Sequence, residues 1–408
     1  MKLRRCVILV ENLPVPLDRH VWQEAQALRD AGWQVSVICP KGPSSPASRE
    51  RLDGIDIYRH WLPVEGRSFG GHILEYAGAI FHQARLLLLL ALTRGFDVVH
   101  ACNPPDFLFL LALPYKLFGV RFVFDHHDLS PELYETLYGR GLMHRLLLRL
   151  ERWSFAFADV VLSSNETFRE LAVTRGGKAS DRVFVVHTIP DASHVERRTA
   201  DTSARRGKSL VLGYLGIIGR QDGLDHMLRA VAGLRNTLGL TDFQLVVVGS
   251  GPALAEIVEL ADELGISEHV TFRGYLSGDA LAAQLSDFDI GIIPDPRNSF
   301  NDKLSMNKVF EYSALGIPIV CYSLRETVRL LGSAGTYSAS DDPGGLADAL
   351  ATLIDDPRLR IEKGEQARAV ARNKFDWRRE AASLLAAYET LISPRRGATA
   401  GRADSAAP

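Results

Sequence analysis

Short β-branched runs alternate with helix-length segments, and the alternation runs through the chain twice. The runs CVILV, VSVI, IDIY, DVVHA, RFVFD, ADVVLS and RVFVV come first, interleaved with helical spacing at about 20–31, 73–93, 143–157 and 167–173. LVLGYLG, FQLVVVG, HVTFRG, DIGIIP and IPIVCY then repeat the rhythm. A parallel neighbour can be reached only by a crossover, so strands of this kind separated by helices specify a doubly wound sheet buried on both faces. Between the two series, DASHVERRTADTSARRGK has no apolar period. It reads as a linker at 191–208, between a first domain at 1–190 and a second at 209–375. A helix at 376–392 follows, and the small-residue tail 393–408 is expected to be disordered.

At 408 residues the chain exceeds one typical core and suits two. Its formal charge of −2 hides no large asymmetry between the halves, which argues against a nucleic-acid partner. The four cysteines lie far apart beside apolar runs with no CxxC, so packing in a reducing cytosol is expected rather than a disulfide or zinc framework. The opening MKLRRCVILVEN has too short an apolar stretch for an export signal and suits a first strand. The uninterrupted run Leu86–Leu92 falls well below the roughly 18 residues of a membrane span.

Ligands of open α/β sheets sit at the carboxyl ends of strands, so the loops there carry the chemistry. DIGIIPDPRNSFNDKLSMNKVFEYSALGIPIV reads as strand, polar loop, helix start, glycine turn and strand. Its helix start offers N–H groups to an anion, and Lys308 and Glu311, three apart, share a face on which one meets phosphate and the other a sugar hydroxyl pair. LVLGYLGIIGRQDGLDHML is strand, glycine-rich turn and helix, where Gly216, Gly219 and Gly223 permit close backbone approach. An anion at that helix start would gain about 0.3–1 kcal/mol from the dipole. Gly249 and Gly251 begin a dinucleotide fingerprint, but Leu254 occupies the third glycine position and no acid follows at the required place. That weakens an NAD-type oxidoreductase and leaves Gly249 shaping the turn beside the ligand.

In the first half, RFVFDHHDLSPELYE delivers His126, His127 and Asp128 from a strand that ends on Asp125. ENLPVPLDRHVWQEAQAL sets Asp18, Arg19 and His20 at a helix start, with Asp18 as a natural N-cap and Arg19 free to reach acceptor or donor phosphate. Adjacent histidines on extended backbone point to opposite faces and no second ligand cluster has clear spacing, so no metal is expected. The DFD at 287–289 enters a strand and suits a sheet edge.

Together these motifs resemble the nucleotide-sugar site of retaining glycosyltransferases of family 4, and the resemblance runs through most of the chain. It implies the GT-B fold, an α/β architecture of two Rossmann-like domains facing across a cleft. Donor would bind the second domain, acceptor the first, and the helix at 376–392 would cross back to the first. His127 and Asp128 fall at the catalytic His–acid motif. Gly216, Gly219, Arg220, Gly249, Lys308, Glu311 and Glu326 fall on the donor side, Glu311 at the ribose and Glu326 near base or ribose. Asp18 and Arg19 are acceptor or phosphate contacts.

Two departures stand out. Ile217 and Asp222 replace an Arg and a Lys of the family's glycine turn, leaving Arg220, Lys303 and Lys308 as cations for a diphosphate. The first Glu of the E-x7-E motif is Lys303, with Asp302 or Asp295 as stand-ins. The resemblance implies sugar transfer from a nucleotide-sugar donor to a lipid-linked or cell-surface glycan acceptor, polyprenyl-linked glycans included. Retention of configuration is implied, and neither metal nor other cofactor is expected. A catalytically silent GT-B scaffold is the alternative. The enzyme is expected in the cytoplasm, peripheral at the inner face of the cytoplasmic membrane. HILEYAGAIFHQARLLLLLALTRG and MHRLLLRLERW, with His144, Arg145, Arg149 and Arg152 among leucines and Trp153, suit lipid contact there. The competing reading makes both of them core helices.

Overall fold

The computed structural model describes residues 4–42, 45–61, 69–190 and 197–392, with 69–75 as backbone only. The tail 393–408 and the linker's first residues, 191–196, lie outside the described residues.

The first sheet contains β1 (Arg5–Leu9), β2 (Gln34–Pro40), β3 (Arg49–Leu52), β4 (Ile55–His60), β5 (Val98–Cys102), β6 (Arg121–His126), β7 (Val160–Ser163) and β8 (Val183–Val185). Their order is β3-β4-β2-β1-β5-β6-β7-β8, parallel throughout except for β3. That edge hairpin was missed in the sequence although its turn is Asp53-Gly54, with φ of 48° and 82°. Two positive φ values at an Asp-Gly pair are what a tight two-residue hairpin requires. The second sheet contains β9 (Leu210–Leu215), β10 (Phe243–Val248), β11 (Val270–Gly274), β12 (Ile290–Ile293), β13 (Ile319–Cys321) and β14 (Gly335–Tyr337). It is fully parallel in the order β11-β10-β9-β12-β13-β14. Strand order reverses beside β1 in one sheet and beside β9 in the other, so the loops after these strands open the two crevices.

Alternation along β1 sorts the first domain's core. Cys6, Ile8 and Val10 pack to one side with the helix Arg19–Asp30, while Val7 and Leu9 pack to the other with the helices Phe69–Thr93, Phe109–Lys116 and Leu142–Phe157. Each large aliphatic side chain buried this way contributes about 1.5–3 kcal/mol. The helix Trp377–Ile392 inserts Leu384, Ala387, Tyr388 and Leu391 into the first of these layers. Its Tyr388 hydroxyl lies 2.9 Å from His100 Nδ1 and 3.1 Å from Cys6 Sγ. The last helix of the chain thus completes the core of the first domain.

The helix expected at 73–93 extends over Phe69–Thr93, and its segment Tyr76–Thr93 is long and apolar enough to cross a membrane by length and composition, with mean hydropathy 1.3. Counting only the uninterrupted leucine run had hidden this. In the fold, Leu86, Leu87 and Leu90 pack on the sheet, Ala79 is buried, and buried Gln83 donates to the Val10 carbonyl at 3.3 Å.

The domains also meet directly. Phe300 of the second packs with Leu129 and Phe168 of the first. Asn165 Nδ2 donates to the Lys303 carbonyl at 2.8 Å, and Arg325 and Arg329 reach Glu170 at 2.7 and 3.1 Å.

Candidate active site

On the first domain's side, β1, β5 and β6 end together. Asp125, the penultimate residue of β6, is buried and its Oδ2 accepts from two imidazoles, His20 Nε2 at 2.9 Å and His127 Nδ1 at 3.1 Å. His20 arrives on the helix after β1, and its Nδ1 is 2.8 Å from the Thr188 hydroxyl. Burial alone would lower both histidine pKa values, but the charge and hydrogen bond of Asp125 outweigh it and raise them. Burial works against ionisation of Asp125 as well, and the neighbouring His20 and His127 reverse that, holding it well below the usual carboxylate range. The turn after β6 is fixed by a residue that sequence reasoning missed. Asn103, directly after β5, accepts from the backbone N–H of His127 at 2.9 Å and of Asp128 at 3.0 Å, and donates to Asp106 and to the Asp128 carbonyl. A polar residue immediately following an apolar strand was the signal for it.

His126 and His127 diverge as extended backbone demands. His127 turns to Asp125, whereas His126 is buried among Phe155, Phe168 and Glu151. Asp128, expected to act with His127, turns its Oδ1 to the Leu129 N–H at 2.7 Å, and burial raises its pKa. Asp18 is the N-cap of the first helix, accepting from Val21 N–H at 3.1 Å. That bond supplies one of the helix's orphan donors with a partner and gives Asp18 a structural role.

On the opposite side, the helix Asn307–Leu315 carries Lys308 and Glu311 into the cleft region. Glu311 Oε1 is bridged by Arg19 at 3.1 Å, a contact between the domains that joins two of the expected site residues. Burial raises the Glu311 pKa despite the arginine. Lys308 is buried, with Nζ 2.9 Å from Asp295 and 5.0 Å from the centre of the Tyr214 ring. Asp295 is therefore this lysine's counterion. Asp222 stands close by, its Oδ2 accepting from Gly219 N–H at 2.8 Å, and burial, then the charge of Asp295, lifts its pKa to about 6.

The glycine turns are joined: Gly216 N–H bonds Val248 O at 3.1 Å and Ile218 N–H bonds Ser250 O at 3.0 Å. Gly249 has φ 142°, and a Cβ there would come 1.8 Å from the Gly216 carbonyl oxygen, so a side chain would force the two turns apart.

Arg220 and Glu326, expected on the donor side, and the stand-in Asp302 all have protein partners in the fold. Arg220 is exposed and bound to Glu256 at 2.6 and 3.1 Å, so solvent and a carboxylate already satisfy it. Glu326 is buried at the domain contact, accepting from the Thr167 hydroxyl and from Arg329 at 2.8 Å. Asp302 accepts from Arg325 N–H at 2.9 Å, serving the start of another helix. Lys303 donates to the Ser299 carbonyl and lies 3.5 Å from Glu132 of the first domain. Ile217 is exposed.

Two sets of metal-type ligands converge among the described residues: His20, Asp125 and His127, and Glu24, His100, Cys102 and Asp125. In the first, every pairing with Asp125 has a hydrogen-bond distance. In the second, burial lifts the Glu24 pKa to about 8, assisted by the charge of Asp125. Asp125 stays ionised between two imidazoles whose pKa values it raises, so a proton on either ring balances its charge.

Two Rossmann-like bodies, with a His–carboxylate turn on one facing edge and a glycine turn beside a Lys/Glu helix start on the other, define the GT-B class of glycosyltransferases. Comparison with known proteins narrows this. The pattern of the family described as "Glycosyl transferase 4-like domain" matches residues 17–188, and that of "Glycosyl transferases group 1" matches residues 209–356. The chain belongs to the glycosyltransferases of the family-4 type. It is 25% identical to the 2-deoxystreptamine glucosyltransferase of Streptomyces kanamyceticus, over 70% of this chain and 76% of that one. It is 30% identical to the GDP-mannose-dependent alpha-(1-6)-phosphatidylinositol monomannoside mannosyltransferase of Mycolicibacterium smegmatis, over 52% and 56%. The sucrose-phosphate synthase of Thermosynechococcus elongatus shares the fold, with TM-score 0.78 at 16% identity, over 95% of this chain and 99% of that one.

Proposed function

We propose that this glycosyltransferase moves a hexosyl group from a nucleotide sugar to a lipid-linked or cell-surface glycan, with retention and without a metal, at the inner face of the cytoplasmic membrane. The observation that carries the reading is the Arg19–Glu311 bridge, because it draws the Lys308 and Glu311 helix to the edge that holds His127. As the glycosidic bond to the nucleotide breaks, negative charge builds on the departing diphosphate. Lys308 and the first-turn N–H groups of its helix meet that charge, the part a metal plays elsewhere. Glu311 binds the ribose hydroxyls once Arg19 lets go, and Arg19 turns to phosphate.

With its Nδ1 committed to Asp125, His127 presents Nε2 to the sugar or acceptor. Its raised pKa favours hydrogen-bond donation there over action as a general base. A lipid-linked acceptor is supported by the mannosyltransferase relative, whose name specifies a phosphatidylinositol mannoside; the deoxystreptamine relative, named for a small soluble acceptor, is the counterweight.

The test is turnover of a panel of nucleotide sugars with membrane-extracted acceptors in EDTA, with the new anomeric linkage read by proton NMR. Transfer in EDTA with the donor's configuration kept is expected. Inversion, or activity that EDTA abolishes and Mg²⁺ or Mn²⁺ restores, contradicts it.

A further inference from the structure

Three helices cover one face of the first sheet, and their outward sides are unusually apolar. On Phe69–Thr93, exposed Phe81, Leu88 and Leu92 follow helical spacing, and only 28% of the membrane-length segment Tyr76–Thr93 is buried. A core helix of that hydropathy would be mostly covered. On Phe109–Lys116, Leu110 and Leu113 point outward, and Leu117 and Phe118 just beyond it are each 86% exposed. On Leu142–Phe157 the stripe is Leu142, Leu146 and Trp153. Tyr76 packs on Phe107 and Phe109 stacks on Phe157, which sets the three helices side by side. A surface this rich in large apolar side chains, on one layer of one domain, marks a contact face.

Charge selects what covers it. Arg85 lies on the first stripe, and Arg145, Arg149 and Arg152 on the third; all four are exposed and make no ion pair among the described residues. Along these helices, from Tyr76 on, the only acid is Glu151, and it is buried beneath Arg175. Apolar stripes flanked by unpaired arginines, with no exposed carboxylate between them among the described side chains, complement an anionic lipid surface.

We propose that the first domain docks on an anionic bilayer through the outer faces of the helices Phe69–Thr93, Phe109–Lys116 and Leu142–Phe157. This deepens the membrane-side location given above and resolves the choice between lipid contact and core: each helix has an inner side in the core and an outer side for lipid. The exposed leucines and aromatic rings enter the acyl boundary, and Arg85, Arg145 and Arg149 meet lipid phosphates.

Full-length protein is sedimented with phosphatidylcholine vesicles with and without phosphatidylglycerol, at low and high salt. The variants are Leu117→Glu/Phe118→Glu and Arg145→Glu/Arg149→Glu, whose exposed positions leave the core intact. Wild type is expected to pellet with the anionic vesicles and to be released by salt. The arginine pair should cut partitioning by well over tenfold, since each basic side chain at an anionic surface contributes roughly a factor of five. The leucine–phenylalanine pair should weaken it independently of salt. Melting temperature and transfer to a soluble acceptor should be unchanged in both variants, which separates failure of docking from failure of the catalytic reading. Absence of wild-type pelleting, or pelleting that neither pair alters, overturns the proposal. So does a dimer in velocity sedimentation that Leu117→Glu/Phe118→Glu dissociates while vesicles bind no protein, which would assign the face to a second copy of the chain.

Discussion

Asp125 serves two histidines at once, and pH shows what that sharing does. The raised pKa values of His20 and His127 mean that their pairing stabilises the fold fully below their ordinary value and is lost as pH rises through the folded value. The depressed Asp125 contributes above the ordinary carboxylate range, and its share is lost only as pH falls through its lowered value. The window therefore lies on the mildly acidic side of neutrality. Asp125→Asn should lose roughly 1.5–3 kcal/mol at about pH 6, two charge-assisted bonds being weakened, and the gap from wild type should narrow as pH rises. Urea unfolding across pH reads this directly, and a gap that widens toward alkaline pH would refute it.

Asp222 works in the other direction. A carboxyl whose folded pKa is lifted to about 6 is neutral in mild acid and ionised at neutrality. Once ionised it repels a diphosphate placed at Lys308. Nucleotide affinity should accordingly weaken as pH rises through about 6, by about tenfold for each unit that the bound phosphate adds to the shift. In Asp222→Asn the profile should flatten and affinity at neutral pH should rise. Calorimetry at several pH values checks it, and an unchanged profile in the variant would remove Asp222 from the site.

At the scale of elements, the strands and the alternation were legible because buried parallel strands announce themselves by unbroken apolar runs. The ligand loops were legible for a related reason: strand ends locate them before any side chain is assigned. Partners were the illegible part. Arg220 looked free in the sequence, and only folding brings Glu256 to it. Glu326 looked like a cleft residue, and the meeting of the two domains gives it to Thr167. Asn103, His20 and Tyr388 meet their partners His127, Asp125 and His100 across distant segments, so no local pattern could join them.

The helix Trp377–Ile392 makes the clearest element-scale prediction, for its Leu384 is fully buried against the first domain's sheet. Leu384→Ala should cost about 2–5 kcal/mol, as loss of a buried leucine generally does. Hydrogen exchange should show the loss in β1, β5 and β7 as well as in the helix. Exchange confined to the helix would mean that it only decorates the surface.

In the whole molecule the two domains are in contact through Arg19–Glu311, Lys303–Glu132 and the apolar group around Phe300. On the proposed function, donor is held from one side of the cleft and acted upon from the other. Lys308→Ala alone is a poor probe, because it strands buried Asp295 and should cost roughly 3–5 kcal/mol of stability. Lys308→Met combined with Asp295→Asn removes both charges together.

The decisive measurement is calorimetric titration of UDP, GDP and ADP into wild type, Lys308→Met/Asp295→Asn and His127→Ala, with sugar transfer assayed in parallel. One nucleotide should bind wild type and His127→Ala alike, at least about tenfold more weakly to the double variant, the loss expected when a charge-assisted phosphate bond is removed. His127→Ala should lose transfer all the same. Equal nucleotide affinity in the double variant, or normal transfer by His127→Ala, would contradict the division of labour across the cleft.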